Sequence, residues 1–198
     1  MKRKFLLPVL TVAAVCVAVG CAKKARYVQT GGHESLVTVS QINIQDYIQA
    51  ATKATGKLLA SGVLDKVPNP PAILGISRII NNTSQQIDTD LLVKRIRVAL
   101  LQSGKALTTT TFSLDNTSED PMAKALQEEN EAKLNQRTAR TPDFTLSGKI
   151  IQTTARDGRM TQSTYSFQLS LTDPNSGLAV WEGEEEITKQ GERSSVGF

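Results

Sequence analysis

Four glutamates crowd one short stretch, Trp181-Glu182-Gly183-Glu184-Glu185-Glu186, and paired carboxylates are the chemistry of glycoside hydrolysis. One acid protonates the leaving group while the other attacks or activates water, so the two must face one cleft. In a strand, residues 182, 184 and 186 project from a single face. Like charges there repel and favour water, and the simpler role is to keep a sheet edge from pairing. Other catalytic sets fail for want of parts. The chain has a single histidine, His33, in a stretch that reads as a tether, so neither a Ser-His-Asp triad nor a histidine zinc site can be assembled. The P-loop and dinucleotide fingerprints are missing, and no Ser-x-x-Lys pair occurs after residue 20. We expect no enzyme activity, no cofactor and no metal.

A different chemistry is carried by Cys21. Lys2, Arg3 and Lys4 form a positive head, and Phe5 to Val19 is apolar apart from Pro8 and Thr11, the charged and apolar halves of a signal peptide. That run is shorter than the ~20 residues of a membrane-spanning helix. It ends in Ala18-Val19-Gly20 directly before Cys21, and this order resembles the bacterial lipoprotein signal, in which cleavage exposes the cysteine and its thiol is acylated. The expected layout is a signal peptide over 1–20, an acylated Cys21 with a flexible tether over 21–40, and one globular domain over 41–198.

Charge and cysteine counts follow from that layout. The full chain has 23 basic and 19 acidic residues and an isoelectric point near 9.1. Loss of Lys2, Arg3 and Lys4 leaves a nearly neutral chain and removes the main support for nucleic-acid binding. Of the two cysteines, Cys16 leaves with the signal and Cys21 is acylated. The domain therefore has no disulfide and depends on its core.

Pattern along the chain supplies the elements. Ile44, Tyr47, Ile48, Ala51, Ala54, Leu58 and Leu59 follow helical spacing, with Asn43 and Asp46 placed to cap the start and Gly62 to end it. After Val67-Pro68-Asn69-Pro70-Pro71 stops regular structure, Ala72 to Ile80 reads as a strand buried on both faces. A second helix is expected over 90–103, capped by Asp88 or Thr89 and closed by Gly104. Its Leu92, Ile96, Ala99 and Leu100 share a face; Val98 and Leu101 lie opposite, and Lys94, Arg95 and Arg97 read as a solvated face. The Thr-rich segment 105–114 is expected as a strand. A polar, solvated helix should open at Pro121 and run to about Arg137. Strict alternation from Phe144, from Tyr165 and from Leu178, joined by Asp157-Gly158 and Pro174-Asn175-Ser176-Gly177, predicts an antiparallel three-stranded meander. The expected fold class is α/β (α+β): a single domain with a small mixed sheet of about five strands and three to four flanking helices.

Between the first strand and the second helix lies Asn81-Asn82-Thr83-Ser84-Gln85. Its overlapping Asn-x-Ser/Thr triplets are discounted as glycan acceptors, because the Cys21 signal is bacterial in kind. Side-chain-to-backbone bonds could make it an ordinary turn. Its place at the carboxyl end of a strand is also where α/β sheets recognise partners.

Several segments in order are similar to the LpoB family: Asp46-Tyr47, Leu58-Leu59-Ala60-Ser61-Gly62, Ile79-Ile80-Asn81-Asn82-Thr83-Ser84, Asp88-Thr89-Asp90-Leu91-Leu92, Arg95-Ile96-Arg97-Val98-Ala99-Leu100, Asp143-Phe144-Thr145-Leu146-Ser147-Gly148-Lys149-Ile150 and Gly177-Leu178-Ala179-Val180-Trp181-Glu182-Gly183. The resemblance covers about residues 43–190. It implies a fold like the N-terminal domain of TolB and a lipoprotein that activates a class A penicillin-binding protein by binding its docking domain. It also implies a partner contact over Asn81, Asn82, Thr83 and Ser84, with Gln85 as a weaker neighbour. We expect a monomer anchored through Cys21 to the outer membrane and facing the periplasm, the inner membrane being the alternative. An envelope-assembly lipoprotein using the same fold on another periplasmic complex is the competing function.

Overall fold

The computed structural model describes residues 25–111, 119–137 and 140–192. Helix α1 spans Ile44–Ala60, strand β1 Ala72–Asn82, helix α2 Asp90–Gln102, strand β2 Ala106–Thr108, helix α3 Pro121–Leu134, and strands β3, β4 and β5 Phe144–Asp157, Met160–Asp173 and Leu178–Glu192. One sheet holds all five strands in the order β2-β1-β3-β4-β5. β1 runs parallel to both β2 and β3, and β3, β4 and β5 form the antiparallel meander. The expected fold class is the one observed.

Local signals act where the sequence puts them. The Asp46 carboxylate accepts the Asn43 backbone N–H at 2.7 Å, satisfying a donor that a helix start leaves free. Gly62 and Gly104 take the left-handed conformation after α1 and α2, with φ of 69° and 70°. At α2, Asp88 Oδ1 accepts the Asp90 N–H at 2.9 Å. At α3, Asp120 Oδ1 accepts the Ala123 N–H at 2.9 Å ahead of Pro121. α3 buries none of its residues, as its polar composition requires, and it stops at Leu134 because Asn135 turns left-handed.

The core lies between one face of the sheet and the α1–α2 pair. Strand alternation sends Tyr165, Phe167, Leu169 and Leu171 of β4 inward beside Leu146 and Ile150 of β3. α1 meets them with Tyr47 and Leu58, and α2 with Leu92, Ile96 and Leu100. The rings of Tyr47 and Phe167 meet edge to face, with centroids 6.4 Å apart, an arrangement the ring quadrupoles favour. Small residues Ala50, Ala51 and Ala54 on the buried side of α1 let helix axes approach closely.

Three expectations are corrected. β1 runs on through Asn82, so that Asn81 and Asn82, expected in the following loop, are its last two residues. β1 is covered on both faces only over Ala72–Gly75; past the irregularity between Ile76 and Ile79, Arg78 and Ile80 are exposed. The second cover is the segment before β3, where Pro142 packs on Gly75 and Asp143 both donates to the Ile73 carbonyl and accepts the Ile73 N–H. It does not extend further along the strand. The strand expected over 105–114 is only Ala106–Thr108 long, and residues 112–114 lie outside the described residues. The carbonyls beyond it are taken elsewhere, Thr109 by Arg97 Nη2 at 3.2 Å and Thr110 by the Asp120 N–H at 3.3 Å. High β-propensity at Thr108 to Thr111 does not supply a neighbouring strand. The signal segment and Cys21 also lie outside the described residues.

Candidate functional site

The end of β1, Asn81 and Asn82, and the loop that follows it are held by their own side chains. Register places Asn81 opposite Ile150 and Asn82 opposite Ile151, so consecutive asparagines point to opposite faces of the sheet. Asn81 turns toward the loop: its Nδ2 donates to the Gln85 carbonyl at 2.6 Å, and its Oδ1 accepts from the Thr83 N–H at 3.0 Å and hydroxyl at 2.7 Å. The Thr83 hydroxyl accepts the Gln85 N–H at 3.2 Å. Ser84 donates through both N–H and hydroxyl to Gln152 Oε1 on β3, at 3.1 and 2.8 Å. Gln85 grips the chain leading into α1, with Nε2 donating to the Ser40 carbonyl at 2.9 Å and Oε1 accepting the Ile42 N–H at 3.0 Å.

The five residues foreseen as a contact site are therefore one structural unit, and they are not equivalent. Four use their side chains to hold the loop. The side chain of Asn82 is exposed and makes no hydrogen bond to a described residue. A free amide at the end of a paired strand offers two donors and an acceptor to a partner with little ordering cost.

A second clamp on the same segment was not foreseen. Lys189 of β5 places Nζ 2.5 Å from Asp46 Oδ2 and 2.8 Å from Asn43 Oδ1, donates to the Gln41 carbonyl, and lies 5.2 Å from the centre of the Tyr165 ring. The Lys189 and Asp46 side chains are 9% and 8% exposed. Alternation offered a signal, because Glu185, Ile187 and Lys189 share the face opposite Glu182, Glu184 and Glu186. Burial raises the pKa of Tyr165 above its ordinary value, and Asp46 adds to the rise; burial does the same for Tyr47, with Asp88 and Asp46 adding.

The glutamate stretch divides as alternation dictates. Glu185 is buried and pairs with Lys57 of α1 at 2.5 Å. Glu184 lies on the outer face, where it accepts from Gln168 Nε2 at 2.7 Å and from the Ser166 hydroxyl. Those bonds, with smaller help from Lys149 and Lys57, hold its pKa below the ordinary value, the opposite of what a general acid needs. Glu182 and Glu184 form one wall of a shallow cleft of about 630 Å³, with Arg78, Ile80 and Lys149 on the other. β5 is one of the sheet's two edges, and its outward carboxylates suit an edge that must not pair.

The helix cations also divide. Lys94 and Arg95 lie on the outer side of α2, but Arg97 is buried at 6% exposure and pairs through Nη1 with Glu119 while Nη2 reaches Thr109. The solvated-face reading of Arg97 is thus corrected: a long side chain on the boundary of the helix found a carboxylate on the α3 approach. Among the described residues no cluster of three metal-ligating side chains forms, and no helix is long and apolar enough to cross a membrane.

Comparison with known proteins follows the same lines. The family model described as peptidoglycan-synthase activator LpoB matches residues 46–187. No curated protein sequence matches. Among solved structures, the chain is similar to the LpoB C-terminal domain of Salmonella enterica, at 15% identity and a TM-score of 0.45, covering 72% of this chain and 98% of that one. It is similar to Escherichia coli LpoB at 14% identity and a TM-score of 0.41, covering 96% and 91%. It is also similar to a lipoprotein of Neisseria meningitidis at 16% identity and a TM-score of 0.39, covering 64% and 88%. By the extent of the family match, the chain belongs to the LpoB family of peptidoglycan-synthase activators.

Proposed function

We propose that this chain is a lipoprotein, acylated at Cys21 and held to the outer membrane, that binds the docking domain of a class A penicillin-binding protein and raises its synthetic rate. The family match over residues 46–187 carries this reading, and the matched region includes the loop. An activator raises a rate only by binding the more active conformation of its target more tightly, so it needs a firm contact surface rather than reactive groups. Asn81, Thr83, Ser84 and Gln85 supply the firmness, and Asn82 presents the free contact amide.

The test is capture of class A synthases from envelope extracts by the mature chain. Recovery of a synthase by the wild type, and clearly reduced recovery by Asn82→Ala, is the expected result. Recovery of another envelope complex without any synthase would assign the protein to assembly instead.

A further inference from the structure

The outward face of α2 mixes aliphatic and basic side chains. At ~100° per residue, Leu91, Lys94, Arg95, Val98, Leu101 and Gln102 fall in one stripe. Leu91 is 38%, Val98 41% and Leu101 44% exposed. Arg95 is half-buried, its Nε buried without a hydrogen-bond partner, and the exposed Lys94 ammonium makes only a long ion pair, 3.9 Å, with Glu119. The only acid in α2 is its first residue, Asp90, and the only acid in α1 is Asp46, buried against Lys189. Lys53 extends the basic character across the outer side of α1, where it is exposed and makes no ion pair with a described residue. Between the helices runs an open groove of about 420 Å³ lined by Thr52, Leu91, Lys94, Arg95 and Val98.

The chain arriving from the N-terminus meets the same side. Gly31 lies against Ile48 of α1, and the two line a hollow with Thr52 and Lys53. Thr52 also lines the α1–α2 groove. About ten residues separate Gly31 from Cys21, a span of at most roughly 35 Å when extended and about 17 Å as a coil. An anchor at Cys21 therefore lies within roughly 35 Å of the place where the chain meets this face. Isolated aliphatic residues set among lysine and arginine make a poor protein-interface core, which is depleted in lysine. They are what an interfacial helix presents to lipid, with apolar groups entering the headgroup region and cations meeting phosphates.

We infer that the α1–α2 face lies on the anionic phospholipid surface to which the chain is anchored, with Leu91, Val98 and Leu101 in the headgroup region and Lys53, Lys94 and Arg95 against lipid phosphates. The inference rests on the lipoprotein reading, and it leaves the open face of the sheet turned away from the bilayer.

The test uses the acylated chain in vesicles. Acylation of Cys21 leaves a fluorophore on Val98→Cys as the single labelled site, and the same label on Ile80→Cys, on the sheet's open face, is the control. Flotation reports the anchor; quenching by brominated lipid reports contact of the face. Expected is strong quenching at 98 and weak quenching at 80 in vesicles containing phosphatidylglycerol. Quenching at 98 should fall in phosphatidylcholine alone, in about 1 M salt where the Debye length is near 3 Å, and in Lys94→Gln/Arg95→Gln, by about fivefold in the contact equilibrium per cation removed. Flotation with equal quenching at 98 and 80, including a label at 98 shielded by a second copy or another protein, overturns the inference while sparing the anchor. Failure to float overturns both.

Discussion

Lys189, near the end of the last strand, holds Asp46 at 2.5 Å in the first turn of the first helix, with both side chains more than nine-tenths buried. The same ammonium also binds Asn43 and the Gln41 carbonyl. One lysine thus fixes the point where the chain from the N-terminus enters the domain, beside the Gln85 clamp on Ser40 and Ile42. Removing one partner of a buried, hydrogen-bonded ion pair leaves the other charge unpaired. Lys189→Met should lower unfolding stability by about 3–5 kcal/mol, and the double variant Lys189→Met/Asp46→Leu should recover much of that loss. Urea titration measures both; a single-variant loss under about 0.5 kcal/mol contradicts the clamp.

Arg97 and Lys94 are adjacent in kind and opposite in environment. Arg97→Met deprives Glu119 and the Thr109 carbonyl of charge-assisted bonds and should cost about 2–3 kcal/mol. Lys94→Met, on the exposed side of the helix, should stay within about 0.5 kcal/mol of wild type. An Arg97→Met loss in thermal or urea unfolding as small as that of Lys94→Met would place both residues in solvent.

Such pairs mark the limit of what sequence patterns reveal. Caps, stops and turns are local, so Asn43 with Asp46, Gly62, Gly104 and Asp157-Gly158 are readable from neighbours a few residues away. Alternation likewise separates Glu185 from Glu184. The partners of Arg97 and Lys189 lie far along the chain, and a charge without a visible partner reads as solvated. The Thr-rich segment after Lys105 fails for the complementary reason: propensity is local, but a strand needs a neighbour, and β1 offers β2 only Ala72–Leu74. A polar segment at the carboxyl end of β1 was legible, whereas the strand's continuation through Asn81 and Asn82 and the inward bonding of Asn81, Thr83, Ser84 and Gln85 required the register of β1 against β3.

That bonding separates two roles within the loop. Thr83→Ala removes a hydroxyl that binds Asn81 and Gln85 and should cost about 1 kcal/mol. Asn82→Ala should leave stability within about 0.5 kcal/mol and act on partner capture alone. Reversed effects, with Asn82→Ala destabilising and Thr83→Ala silent in unfolding experiments, would reject the assignment.

Stability should fall at both ends of the pH scale. Burial raises the folded-state pKa values of Tyr47 and Tyr165 above the ordinary 10.0. Their stabilising contribution is complete below that value and is lost as pH rises through the folded pKa. Tyr47→Phe should flatten the alkaline limb in unfolding free energy measured against pH. Asp173 is lowered from 3.8 by the Asn175 N–H and the Ser176 hydroxyl, and Glu184 from 4.5 by Gln168 and Ser166. Their contribution is complete above those values and disappears as pH falls through the lowered pKa, so Glu184→Gln should flatten the acid limb. An unchanged slope in either variant contradicts the corresponding contact.

The proposed activation of a peptidoglycan synthase would act through Asn82 at the end of β1 and the loop that follows it. Its most direct measurement is the rate of glycan-chain polymerisation by purified class A penicillin-binding proteins of the same envelope, titrated with the mature chain. A saturable rise in rate is expected, with Asn82→Ala requiring about tenfold more protein for the same effect, equivalent to about 1.4 kcal/mol of contact energy. Rates that stay the same at every concentration of wild-type protein, for every class A synthase of that envelope, would contradict it.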